Sequence, residues 1–328
     1  KHWRNDVLAA VSVSLVALPL SLAIAVAAGI PPISGLITAV IGGLVTTFFR
    51  SSALTINGPA AGLIGVILAA VIALDDGFGA VKAFEYVLAA IMIAGALQVV
   101  IGLLKLGRIA EIFPSTVIHG ILASIGIIIF AKQMHVAMGT HSDAENTIGI
   151  LGDIFYKIPE IDPYIALISG IGIILLLFHA RISYKVFHFI PAPVWVLAIA
   201  VPIVLLYNYL QVHEVAVFGK VFKSPENYLI DIPSNWTEGF VFPDFSKIFT
   251  GTFWMAVISI NLLSTVITLA GTKAVDKLDP YKRKTNMNRD LVGVGLSSII
   301  SGAVGGLPII TVIVRSTVNV HNHAKTKW

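Results

Sequence analysis

The chain has 328 residues, of which 56% are hydrophobic and only 12% charged, against about 25% charged in a soluble domain. With a mean hydropathy of +0.89, this excludes an ordinary water-soluble domain and leaves a polytopic membrane protein with room for about ten spans. The absence of cysteine excludes a disulfide framework and a thiolate metal site, and the net charge of +4 needs an explanation from the placement of its residues.

Apolar runs fall at 7–29, 32–49, 53–74, 81–104, 112–134, 163–180, 186–210, 248–272, 290–304 and 307–320. The first carries Asp6, shows no small-residue cleavage site and passes straight into the second, so it reads as a span and not as a cleaved leader. With Lys1 and Arg4 in the cytoplasm, alternate crossings place most of the 22 Lys and Arg inside and most of the 18 acidic residues outside. That is the bias that sets membrane orientation. The positive balance is therefore topology and predicts no nucleic-acid partner. The basic segment 273–290 is expected to touch anionic membrane lipid.

The two longer connections, 135–162 and 211–247, mix charge with Pro, Asn and aromatics and read as outer loops. Trp236 and Trp254 bracket the entry to the eighth run as interfacial anchors. Histidines sit at run ends (His119, His135, His179, His188, His213), and His321 and His323 alternate in a solvated tail. No pair of them has metal-ligand spacing beside carboxylates, so neither a metal nor a cofactor is expected.

Two runs are irregular. The third opens polar and β-branched, Ser51-Ser52-Ala53-Leu54-Thr55-Ile56-Asn57, and then breaks at Gly58-Pro59. Ala60 to Leu74 is short for a full span, which describes a strand-like entry followed by a half helix; a Gly-Pro kink in one continuous helix is the alternative. Irregular backbone within a membrane must be buried in protein or line a cavity. The tenth run breaks at Gly305-Gly306-Leu307-Pro308, and Arg315 follows among β-branched neighbours. A guanidinium there costs about 3 kcal/mol on insertion scales and belongs in a polar cavity. Pro308 suits the first turn of a helix whose leading N–H groups lack partners. Those N–H groups, the helix dipole and Arg315 can together make an anion site; the alternative is an ordinary span whose arginine snorkels to a headgroup.

Each break follows two full runs: runs 1 and 2 before Gly58-Pro59, runs 8 and 9 before Pro308. Seven spans precede the eighth, so the second set starts on the opposite side of the membrane. Paired interrupted segments in inverted halves point to a midplane transport site. A three-element second half cannot balance a seven-element first half, so the chain is expected to stop short of a complete second repeat, after about helix 10. The fold class is thus all-α and polytopic: a seven-plus-seven inverted-repeat transporter fold, with half helices and short strand-like segments in runs 3 and 10.

Four segments resemble the SulP family of inorganic anion transporters, bacterial relatives of the animal sulfate and chloride/bicarbonate exchangers. They are Ala17-Leu18-Pro19-Leu20-Ser21-Leu22-Ala23-Ile24-Ala25 with Gly29-Ile30-Pro31-Pro32-Ile33-Ser34-Gly35-Leu36; Asn57-Gly58-Pro59-Ala60-Ala61-Gly62; Lys273-Ala274-Val275-Asp276 with Asn288-Arg289; and Val314-Arg315-Ser316 with Asn319. The resemblance spans the supplied chain and covers about ten of the family's fourteen helices. It implies a core transport domain formed by residues 1–110 (helices 1–4) and 248–328 (helices 8–10), a gate domain at 111–211 (helices 5–7), and an outer loop at 212–247.

The resemblance also implies secondary transport of bicarbonate, sulfate or chloride by elevator-type alternating access, a homodimer, a coupling sodium ion or proton, and residence in a bacterial inner membrane with the N-terminus cytoplasmic. Carried over residue by residue, it places Pro19 and Ser21, then Asn57, Gly58, Pro59 and Ala60, then Thr268, and then Pro308, Ile309, Ile310 and Thr311 at the anion. Arg315 lies one to two turns deeper and supplies positive field. The family's common glutamine after the helix-1 proline is Leu20 here, and its common helix-8 glutamate is Ile267. Asn261, Ser264, Thr265 and Thr268 leave that helix polar and neutral. Asp276 is the remaining candidate sodium ligand; in its basic turn a salt bridge or helix cap fits equally well. A nucleobase or uracil-type permease of the same repeat plan is the alternative, although runs 8 and 10 lack the ring-gripping carboxylate such a permease uses. A membrane enzyme has no acid–base or metal constellation here to work with.

Overall fold

A computed structural model describes residues 3–49, 51–108, 115–142, 144, 146–179, 181, 192–209, 214–217, 220–223, 240–322 and 324–326. Trp236, His188, His213, His323 and most of the 212–247 loop lie outside the described residues. The chain begins with α1 (Trp3–Ala27), α2 (Pro32–Phe49), β1 (Asn57–Gly58), a 3₁₀ turn (Ala61–Leu63), α3 (Ile64–Leu74) and α4 (Ala80–Leu103). It continues through α5 (Ser115–Met138), α6 (Thr147–Tyr156), α7 (Pro163–His179), α8 (Ala192–Tyr209), β2 (Glu214–Val217) and β3 (Lys220–Lys223). It closes with α9 (Gly251–Leu278), α10 (Met287–Ala303), β4 (Ile310–Thr311) and α11 (Ile313–His321).

Among the described residues, α1 from Asp6, α2, α4 and α9 are long and apolar enough to cross a membrane. Their outward faces carry large apolar side chains such as Leu44, Phe48 and Leu103, each exposed, as a lipid-facing surface requires. Three expectations change. The connection 135–162 holds the helix α6, capped by Asn146, whose side chain accepts from Gly149 N–H. The basic segment after the eighth run is shorter than read, because α9 continues to Leu278 and α10 starts at Met287. Pro308 does not open a helix: α11 begins five residues later, after a strand.

The chain divides into two compact units. One comprises Lys1–Ile118 with Asp231–Trp328, the other His119–Ile230. In the second, α7 packs on α8, and His135 bridges Thr140 Oγ1 at 3.0 Å and the Ile150 carbonyl at 2.9 Å. Asp162 caps α7 by accepting from Tyr164 N–H at 2.8 Å.

In the first unit the tightest packing is between α4 and α10, and glycine makes it so. A Cβ on Gly295 would stand 2.7 Å from the Gly95 carbonyl oxygen, and one on Gly95 would stand 2.8 Å from that of Gly295. Gly102 meets Asn288 and Gly302 meets Leu88 in the same way, so the two helices run antiparallel with their backbones in contact. Without a hydrophobic drive between helices in lipid, such close approach supplies the packing energy. Asn261 on α9 adds a hydrogen bond to the Ala94 carbonyl at 2.8 Å.

The α9–α10 turn is fastened by charge. Asp279 accepts from Arg283 Nε at 2.6 Å and from Tyr281 N–H at 2.9 Å, while Arg283 Nη1 reaches the Lys325 carbonyl at 3.0 Å. Burial pushes the Asp279 carboxyl up, but the Arg283 guanidinium and these N–H groups outweigh it and hold the group below its ordinary value.

Two tests follow from this packing. Gly295→Ala should cost about 1–3 kcal/mol and lower the melting temperature in detergent, whereas Gly65→Ala, with nothing within 4 Å of its Cβ, should be neutral or gain up to about 1 kcal/mol. Because folding depresses the Asp279 carboxyl, its contribution is present above the unfolded value of about 3.9 and lost as pH falls through the lowered folded value. Asp279→Asn should therefore melt lower than the wild type at neutral pH, with the gap closing below about pH 4.

Candidate functional site

The two proline breaks come together in space. Proline cannot continue a helix or donate to a ladder, so Pro59 and Pro308 leave short extended segments beside them, and these segments pair. β1 and β4 run antiparallel with Asn57 opposite Thr311 and Gly58 opposite Ile310, and Val312 N–H extends the pairing to the Ile56 carbonyl at 2.9 Å.

Small hydroxyls from the surrounding helices satisfy the remaining backbone. Leu307 N–H donates to Thr38 Oγ1 on α2 at 2.6 Å, Ser301 Oγ on α10 donates to the Leu307 carbonyl at 2.7 Å, and Ile309 N–H donates to Ser298 Oγ at 3.0 Å. Ser316 Oγ accepts from Ile56 N–H at 2.9 Å, and Asn319 Nδ2 donates to the Leu54 carbonyl at 3.0 Å. Glycines let the helices approach: a Cβ on Gly42 of α2 would lie 2.6 Å from the Asn57 carbonyl, and one on Gly271 of α9 would lie 3.0 Å from that of Thr311.

Arg315, in the first turn of α11, points back into this assembly and is 1% exposed. Its Nη2 donates to Ser21 Oγ at 2.8 Å and lies 3.4 Å from the Ala17 carbonyl, while its buried Nε has no partner. Ser21 is itself oriented by donating to Ala17 at 2.6 Å, two residues either side of Pro19, which lies inside α1. Gly58 is required on the other side, since a Cβ there would be 2.6 Å from Arg315 Nη1. Arg315 forms no ion pair among the described residues.

The helix ends around the pair are also free of side-chain caps. Asn146, Thr250 and Asn286 cap α6, α9 and α10 with side-chain oxygens. The residues that open the 3₁₀ turn, α3 and α11 (Ala60, Leu63 and Val312) make no such bond. The positive ends of both half helices are therefore left to something else.

Two openings touch the assembly at different levels of α1. A cleft of about 220 Å³ is lined by Asp6, Val13 and Ala17 of α1, Gly43 and Thr47 of α2, Asn57, Arg315 and Asn319. Asp6 at its rim accepts from Lys325 N–H and Thr326 Oγ1, both at 2.8 Å. A far smaller apolar gap of about 10 Å³, room for about one water, lies between Ile24, Ala28, Ala60, Leu63, Leu307 and Pro308. The residues read together from sequence thus separate. Asn57 and Arg315 line the cleft and Ser21 touches Arg315. Ala60 and Pro308 line the gap. Pro59, Ile309, Ile310 and Thr311 are buried, and the hydroxyl of buried Thr268 has no partner.

Asp276 is fastened elsewhere: its carboxylate accepts from Thr285 N–H at 2.9 Å and from the Thr285 hydroxyl. That is a turn-holding role of the kind a cap plays, and no cluster of three or more His, Asp or Glu able to hold a metal occurs among the described residues.

Sequence reasoning did not single out Thr38, Ser298, Ser301, Thr272 or Asp290, which complete the strand pair's surroundings. The available signal was hydroxyls at helical spacing within apolar runs, such as Ser298 and Ser301 in the ninth, which without the strands in view read as ordinary small residues.

Comparison with known proteins agrees with this architecture. The model of the Sulfate permease family matches residues 3–328. A putative sulfate transporter of Bacillus subtilis, YvdB, is 27% identical over 99% of this chain and 57% of its own length. The bicarbonate transporter BicA of Picosynechococcus is 26% identical over 99% of this chain and 55% of its own length. The chain therefore spans about half the length of these curated relatives. Among solved structures, the transmembrane domain of a cyanobacterium bicarbonate transporter BicA superposes with a TM-score of 0.78 at 23% identity, over 100% of this chain and 79% of that one. SLC26A9 follows at 0.75 and 17% identity, over 100% of this chain and 52% of that one. At such identities the likeness establishes the fold.

The hydroxyl support of the strands is directly testable. Thr38→Val leaves the buried Leu307 N–H unpaired and should cost about 1–3 kcal/mol, read as a drop in melting temperature that Thr38→Ser largely restores.

Proposed function

The chain belongs to the sulfate permease family, a family of membrane transporters and not of enzymes, and on that premise we propose that it moves an inorganic anion by secondary transport. One observation carries the reading. Arg315 holds a full positive charge among helices, bonds to a hydroxyl and a carbonyl but forms no ion pair among the described residues, and keeps one N–H unused. A buried charge without a counterion is costly, and an anion drawn to it relieves that cost. The uncapped start of α11, which carries Arg315, adds a fixed positive dipole of the same use.

Within this reading the site is assigned to Pro19, Ser21, Asn57 to Ala60, Thr268, Pro308 to Thr311 and Arg315. All belong to the unit formed by Lys1–Ile118 and Asp231–Trp328, which suits an elevator in which that unit travels as one body. Bicarbonate and sulfate, named for the relatives, are the leading substrates, with chloride third. The small, neutral lining favours a monovalent anion such as bicarbonate, because a divalent oxyanion calls for more donors. The reading places the protein in a bacterial inner membrane with its N-terminus in the cytoplasm, as a homodimer with sodium or proton coupling, and gives Asp276 no sodium. The nucleobase-permease alternative is set aside, since the family match is to sulfate permeases.

The test is uptake of radiolabelled bicarbonate and sulfate by the complete native protein in proteoliposomes. Arg315→Ala should reduce uptake at least about tenfold. Arg315→Lys, which keeps charge but loses the planar fork, should fall between. Unchanged uptake by the alanine variant would remove Arg315 from the site. Uptake of a neutral nucleobase in place of either anion would overturn the reading.

A further inference from the structure

The helix α6 has no part in the transport reading, and its own sequence does not account for it. It has ten residues, among them two glycines, a threonine and three isoleucines, all weak helix formers. A helix shorter than about 12 residues is marginal in water and draws its stability from burying an apolar face. Yet none of the ten residues is buried. Ile148 is 84% exposed, Phe155 75% and Tyr156 82%. At about 100° per residue, Ile148 and Phe155 project within about 20° of each other. Leu151 and Gly152 flank them, so these positions form one uncharged stripe. The single charged residue of the helix, Asp153, lies off the stripe and accepts from Ser142 Oγ at 2.6 Å.

The tethers of α6 fix its level. His135 holds the Ile150 carbonyl at 2.9 Å and stands three residues before the end of α5 at Met138. At about 1.5 Å per residue that is about 4.5 Å inside the end of the helix. Asp162 N–H donates to the Met138 carbonyl at 2.9 Å, immediately before α7 opens at Pro163. The connection therefore leaves and returns at one point, and the middle of α6 is pinned beside the last turn of α5. Lipid-facing surface reaches the same level. Phe130 and Val136 on α5, and Leu167 and Ile174 on α7, are exposed apolar chains on helices drawn from long apolar runs. Val136 is the next residue after the tether. Single exposed apolar residues are ordinary, but a contiguous stripe marks a contact surface. A short helix with one apolar face, Phe and Tyr at its end and its charge turned to the protein has the make-up of an interfacial helix.

We propose that α6 lies along the headgroup–acyl boundary of the leaflet at which α5 ends, with the stripe of Ile148 and Phe155 inserted, and so anchors the unit His119–Ile230 to the bilayer. The partner is the lipid surface itself. It is met through apolar area and not through headgroup charge, since the helix carries no basic residue. Insertion supplies the burial that the protein withholds, which explains why ten weak helix formers are helical at all. The inference rests on membership of a family of membrane transporters and is independent of which solute is carried.

The test places one nitroxide label at a time on the complete native protein in phosphatidylcholine proteoliposomes, at Ile148→Cys, Phe155→Cys or Glu160→Cys. These 328 residues hold no cysteine, and any elsewhere in the protein is replaced by serine. Electron paramagnetic resonance reads the depth of each label from its accessibility to oxygen, which concentrates in hydrocarbon, and to a water-soluble nickel chelate. Labels at 148 and 155 should lie about 5–10 Å below the headgroup boundary, and the label at exposed Glu160 should lie at or above it. Labels at 148 and 155 as open to the chelate as the one at 160 overturn the proposal. So do labels closed to oxygen and chelate alike, or broadened by a second label, because a protein segment or another copy then covers the stripe. Phe155→Asp should also melt at a lower temperature in the vesicles than Phe155→Leu, since only the aspartate opposes insertion. Equal melting of the two overturns the anchoring, as a water-facing position tolerates both.

Discussion

Backbone polar groups that cannot reach water must find partners inside the protein, and that constraint organises this molecule. Both proline breaks strip helical hydrogen bonds from a segment lying among apolar helices. The solution is reciprocal: the segment before α3 and the segment before α11 bond to each other, and what remains unpaired bonds to Thr38, Ser298, Ser301 and Ser316. Each helix that supplies a hydroxyl must come close, which is why glycine occupies the contacts at Gly42 and Gly271. The α4–α10 contact through Gly95 and Gly295 belongs to the same economy, since it holds α10 and its serines against the strands.

On that scaffold Arg315 is held by geometry more than by charge. Ser21, the Ala17 carbonyl and the bare backbone of Gly58 enclose it, and each is neutral. Other cations in this unit are paired with acid at its periphery, as in Lys82 with Glu85 and Asp244, Lys247 with Asp76, and Arg283 with Asp279. There the Lys82 ammonium draws the Asp244 carboxyl down to about 2. Compensated charge at the periphery and uncompensated charge inside is the pattern expected when the internal charge meets a ligand instead of a side chain.

Thr272 and Thr311 tie β4 to α9, and Thr311 also bonds Asn57 on β1. Asp290 of α10 meets the same Thr272, so two helices and both strands converge on one buried polar cluster. Hydroxyls suit that junction because each can donate and accept.

Much of this was legible before any coordinates. The membrane class follows from composition, since no soluble domain is so apolar. The half helices follow from Gly58-Pro59 and Pro308, because proline removes a donor and fixes its own backbone angle wherever it stands. Arg315 stood out because so few charges lie within apolar runs. What sequence could not supply is who meets whom. Pro308 read as a helix start because its missing N–H is tolerated there, but a strand partner about 250 residues away offered a better use for the segment, and only the tertiary structure brings that partner near. Asp290 read only as the end of the basic segment 273–290, Thr311 was placed at the anion by resemblance, and Thr272 was not singled out. Their contacts exist because α9, α10 and the strand pair converge, and convergence is set by packing between distant segments. Local chemistry marks where the chain must break; long-range packing decides what the broken ends are used for.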